Sequence, residues 1–135
     1  MPAQSRLARA SALRQQLRAL DQQRVAGLEQ LLELRDLFAA SLSVVHRTCG
    51  KANCICTRGQ PHGPYYYLSI QSGGRNDRYH VSQEEAQRMG PAIDRYRLFV
   101  RGLRQLRALD RKIETLARRL QTLCETRSIK SFTTS

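Results

Sequence analysis

A chain of 135 residues has room for one domain or one elongated unit. Its apolar fraction is 41%, Trp is absent, and Leu, Ala, Arg and Gln dominate both ends, so a buried helical seam is expected rather than a large compact core. A formal charge of +12 and a pI near 10.6 attract polyanions and make nucleic acid the leading partner class, DNA ahead of RNA, while no apolar run approaches the roughly 20 residues that span a membrane.

The opening Met1-Pro-Ala-Gln-Ser-Arg-Leu7 has no apolar signal core, and a cytoplasmic location with reduced thiols is expected. From Ala3 to about Leu42 apolar residues recur at Ala10, Leu13, Leu17, Leu20, Leu31, Leu34 and Phe38. That 3-4 spacing predicts a long first helix, weakened where Arg24 and Gly27 occupy seam positions. Leu28, Leu32 and Leu37 widen its apolar face.

The helical pattern fails between Ser43 and Pro64. Cys49, Cys54, Cys56 and His62 fall here in the spacing C-x4-C-x-C-x5-H. Four nitrogen and sulfur donors on one short loop satisfy the tetrahedral demand of structural zinc, and clustered thiols in a reducing compartment read as a metal site before disulfides. A full set of protein ligands leaves no open position for a reacting water. His46 stands close enough in sequence to replace one ligand. An iron–sulfur or redox role is a lesser alternative, and three small packed cysteines beside a turn histidine would need no metal at all.

Tyr65 to Gln71 alternates, with Tyr66, Leu68 and Ile70 on one side and Tyr65, Tyr67 and Ser69 on the other. Ser72-Gly-Gly-Arg-Asn76 supplies turn chemistry, and Asp77 to Val81 reads as the returning strand. Ser82-Gln-Glu-Glu85 is a capping box that starts a helix, which Gly90-Pro91 is expected to interrupt or kink. Leu106, Leu109, Ile113, Leu116, Leu120 and Leu123 then form a strict a/d series. Cys124 lies beside that seam and reads as a small, partly buried residue.

The expected fold is mainly α: a long antiparallel helical hairpin, coiled-coil-like, with the Cys/His loop and β-hairpin at its tip. Its parts are a first helix over 1–42, loop and hairpin over 43–81, a second helix over 82–127 and a flexible tail over 128–135. The helical seams also offer a route to a homodimer.

Arg97, Arg104, Arg111 and Arg118 repeat every seven residues opposite the seam, with Arg101 and Arg107 widening the strip. Such a strip tracks phosphates, although a solvated polar face has the same pattern. The tip adds Arg47, Lys51, Arg58, Arg75 and Arg78 with Tyr65 and Tyr67 as the more available tyrosines; Tyr66 and Tyr79 are expected to pack. A β-ribbon carrying Arg75 and Arg78 can enter a major groove, and tyrosines can stack on unpaired bases. No nucleophile elbow, phosphate loop or HExxH helix is present, so an enzyme is not expected.

The run from Cys49-Gly-Lys51 through Cys54, Cys56 and Gly59 to His62-Gly-Pro-Tyr65 resembles an uncharacterised family of short bacterial and archaeal proteins. The resemblance extends over Tyr66 to Ser69, Gly74-Arg75, Tyr79 to Val81 and the following Leu/Arg-rich helix, about residues 45 to 120. It implies a domain of unknown function, some members of which sit beside transposase-like genes, and it brings no established catalytic residues. The leading expectation is a nucleic-acid-binding accessory protein, linked to mobile DNA, with basic helices and a zinc-stapled tip. The rival is a coiled-coil assembly module that binds an acidic protein partner.

Overall fold

A computed structural model of the chain describes residues 3–133. Its elements are α1 (Ala3–Glu33), β1 (Ser41–Arg47), β2 (His62–Ser72), β3 (Arg75–Val81) and α2 (Gln83–Cys124), with tight helical turns at Ile55–Arg58 and Ile129–Ser131. The ends of the expected first helix and of the expected flexible tail, Met1, Pro2, Thr134 and Ser135, lie outside the described residues.

The long helical hairpin with a small tip is corrected to a helix–sheet–helix arrangement. α1 ends at Glu33 rather than near Leu42, and the residues beyond it build a third strand. The sheet is antiparallel in the order β1-β2-β3. Ser41-Leu-Ser-Val44 alternates polar and apolar residues, Val44 and Val45 are β-branched, and the register shifts between Val45 and Arg47. Leu37, Phe38 and Leu42 extend the helical spacing of the sequence, but Leu37 and Phe38 lead into this strand and Leu42 lies within it.

Two compact units divide the chain. The unit Leu34–Val100 contains the sheet and the first part of α2. Ala40, Leu68, Val81, Ala86 and Ile93 are its buried cluster, with Phe38, Leu42, Tyr66, Ile70 and Met89 packed against it. Thus Leu42, Tyr66, Leu68, Ile70 and Val81 form the inner sheet face, and alternate residues form the outer face. At the exit of α1, Asp36 takes the left-handed conformation at φ 56°. Arg95 of α2 donates to the Arg35 carbonyl at 2.7 Å and to the Asp36 carbonyl at 3.1 Å, fixing the irregular backbone just beyond the helix. Phe38 N–H donates to the Ala92 carbonyl at 3.0 Å, fixing the lead-in to β1 on α2.

The capping box forms: Glu85 N–H donates to Ser82 Oγ at 3.1 Å, and Ser82 N–H donates to Glu85 Oε1 at 3.4 Å. The expected interruption at Gly90-Pro91 is not seen, because α2 continues through Pro91. Gly90 has no Cβ to meet the proline ring, which relieves part of the usual clash.

The second unit pairs α1 with the chain from Arg101 onward. Ala10, Leu20, Leu31 and Leu116 are buried there, and all four stand at seam positions. Gly102 makes room for the Leu31 side chain, since a Cβ at this position would come within 2.5 Å of Leu31 Cδ2. Arg6 caps the far end by donating to the Leu123 carbonyl at 3.0 Å. Among the described residues no helix is long and apolar enough to cross a membrane.

Candidate metal centre and cationic sheet face

The loop between β1 and β2 folds back on itself through local hydrogen bonds. Cys54 N–H donates to the Lys51 carbonyl, and Thr57 N–H and Oγ1–H both donate to the Cys54 carbonyl. The turn Ile55–Arg58 that follows buries Cys56. β2 then begins with the fourth donor, His62. Gly63 is required beside it. Its φ is 124°, and a Cβ there would stand 2.8 Å from the Val45 carbonyl oxygen, so only glycine lets the start of β2 lie against β1 without displacing backbone.

These constraints bring the ligating atoms of Cys49, Cys54, Cys56 and His62 within 4.8 Å of one another, an arrangement compatible with a metal site. Cys49 Sγ is 3.5 Å from Cys56 Sγ, and Cys54 Sγ is 3.1 Å from His62 Nε2. Cys49 is exposed and Cys56 is buried. The Lys51 backbone, followed by the side chains of His62, Cys54 and Cys56, lowers the Cys49 thiol to about 6. At Cys56 the Cys49 backbone N–H acts to lower the value, but burial together with the Cys49 and Cys54 sulfurs outweighs it and pushes this thiol up. Crowded donors of this kind cannot all ionise cheaply without a cation among them. His46, the sequence alternative, lies at the β1 irregularity between Val45 and Arg47 and is not in the cluster.

A second feature occupies the outer face of the sheet. Tyr67, on the central strand, has the Arg78 guanidinium 4.2 Å and the Arg47 guanidinium 5.3 Å from its ring centre. His80 meets Tyr67 edge-on at 5.4 Å and Tyr65 at 6.2 Å. The three strands contain one carboxylate, Asp77, and its pairing opposite Ile70 places it on the inner side. The outer face therefore carries cations and aromatics without a compensating acid.

The other expected contact residues do not converge on this face. Arg75 opens β3 on the opposite side and pairs with Asp77 at 3.6 Å. Lys51 and Arg58 are exposed on the Cys/His loop. Arg97 is exposed in the sheet-containing unit, whereas Arg101, Arg104, Arg111 and Arg118 are exposed in the helical unit, and Arg118 is held by Glu114 at 2.7 Å. Tyr66 packs as expected, but Tyr79 is 50% exposed. The sequence reading omitted His80. Its alternation with Arg78 was the available signal, but its relevance needs the cross-strand pairing Tyr67↔His80.

A family model described as a domain of unknown function (DUF6788) matches residues 11–89, more than half of the chain. No curated protein and no solved structure matches. The match spans most of α1, the Cys/His loop and the whole sheet, and it stops before the heptad part of α2. The chain therefore belongs to the DUF6788 family, whose function is not known.

Proposed function

We propose that the chain is a nucleic-acid-binding accessory protein in which a structural zinc ion, held by Cys49, Cys54, Cys56 and His62, fastens the sheet that carries the contact surface. The observation that carries this reading is the acid-free outer face on which Arg47 and Arg78 flank Tyr67. Guanidiniums supply phosphate contacts, and their release of counterions makes affinity fall with salt. The exposed Arg97, Arg101, Arg104 and Arg111 of α2 add to the same attraction. Zinc suits the donor set because Zn–S bonds of about 2.3 Å put tetrahedral sulfurs about 3.8 Å apart, close to the 3.5 Å between Cys49 and Cys56. A link to mobile DNA rests on the family resemblance alone.

Fluorescence anisotropy with a labelled oligonucleotide at two salt concentrations tests the reading. Binding that weakens steeply with salt is expected; no binding at low salt, or binding indifferent to salt, overturns it. Elemental analysis of protein purified without added zinc should find about one equivalent. Finding none, with Cys49→Ser leaving stability unchanged, removes the metal from the proposal.

A second reading, an assembly module with an acidic protein partner or a second copy, is favoured by exposed Val25, Leu28 and Leu32 on one stripe of α1. Sedimentation showing a monodisperse monomer with no affinity for acidic proteins removes it.

A further inference from the structure

We propose that the outer face of the sheet binds single-stranded nucleic acid through unpaired bases, and that His80 is part of the contact. The inference rests on the nucleic-acid reading above and narrows it to one class of ligand.

The strand order leaves little of the β2–β3 hairpin free as a two-stranded ribbon. β2 lies in the middle, and β1 covers it from Ser69, opposite Ser41, to His62, opposite Arg47. The β2–β3 hairpin extends beyond that cover only through Ile70–Ser72 and Arg75–Asp77. A groove-filling ribbon is two strands wide and free on both faces, whereas here three strands are joined and a hydrophobic core covers one face, so the sheet offers a ligand one broad face. Arg75, which would lead such a ribbon, is directed to the inner side and paired with Asp77.

The same face suits a flexible strand. Tyr65, Tyr67 and His80 form a contiguous aromatic group, and the short side chains of Ser43 and Ser69 flank Tyr67. Rings and guanidinium planes both stack on bases, and Arg47 and Arg78, whose guanidiniums lie over the Tyr67 ring, bring the positive charge that a strand's phosphates require. Stacking tolerates sequence, so little base preference follows.

The test uses the full chain and a fluorescein-labelled, mixed-sequence DNA strand of about 12 nucleotides, alone and annealed to its complement. The single strand should bind at least about tenfold tighter than the duplex at equal salt. Tyr67→Ala should weaken single-strand binding by about tenfold with an unchanged salt slope, and Tyr67→Phe should keep most of the affinity. Arg78→Ala should instead reduce the slope by about one. If Tyr67→Ala loses its native circular dichroism, His80→Ala, on an exposed position, takes its place with an expected loss of about fivefold. Duplex bound as tightly as single strand, or aromatic substitutions without effect, overturns this inference and leaves the nucleic-acid reading standing. Failure to bind either probe overturns both.

Discussion

Gly63 shows how one residue type can be dictated by its neighbour. Its positive φ and the nearby Val45 carbonyl oxygen exclude a side chain, so Gly63→Ala should lower stability by about 1–3 kcal/mol, read as a lower denaturant midpoint with an unchanged slope. The cysteines give a chemical test within one molecule. Cys49 and Cys124 are both exposed, but only Cys49 belongs to the donor cluster. Added zinc should therefore protect Cys49 from alkylation and leave Cys124 reactive, as mass spectrometry of the modified peptides would show. Equal protection of both, or of neither, contradicts a metal at the loop. The convergence of Cys49, Cys54, Cys56 and His62 was legible in the sequence because short spacing forces proximity. The contact of His80 with Tyr67 was not, because a residue's face is local information but its cross-strand neighbour is not.

At the scale of elements, the buried seam residues Ala10, Leu20, Leu31 and Leu116 all stand at positions that the 3-4 spacing marks. The capping box was likewise readable from Ser82 and Glu85 alone. Ser82→Ala should cost about 1 kcal/mol by removing the acceptor for Glu85 N–H. β1 was not readable. Seven residues give a weak period-two signal, and Leu37, Phe38 and Leu42 before and within it extend a helical spacing that already runs the length of α1. What holds the segment after the helix is tertiary: Arg95, distant in sequence, binds the carbonyls of Arg35 and Asp36, and Ala40 is buried in the sheet core. Without β1 the other two strands look like an isolated hairpin, which is marginal in water, and the expected architecture shrinks the sheet to an appendage. Ile93→Ala, at a position only 2% exposed beneath the sheet, should destabilise that unit by about 2–5 kcal/mol, measured by loss of amide-exchange protection in β1–β3.

At the scale of the whole molecule, composition did not disclose the shape of the chain, and the class of partner that its charge suggests rests on the binding experiments above. The two units have separate cores, so high Leu and Arg content at both ends described one of them and concealed the other. The +12 charge acts over the entire surface, and raising salt should weaken binding even where the Tyr67 cluster is intact. One pairing links the loop to that cluster. His62, one of the four clustered donors, lies opposite Arg47, whose guanidinium reaches Tyr67. Removing the ion would free the adjoining ends of β1 and β2 first, where Arg47 is seated, while Arg78 remains anchored in β3. A chelator should therefore weaken oligonucleotide binding at concentrations that leave the helical circular dichroism intact, and restored zinc should recover it. Loss of binding only together with global unfolding would disconnect the two features. On the proposed reading, such a link would make the loop a latch on one edge of the sheet and couple ligand grip to metal supply.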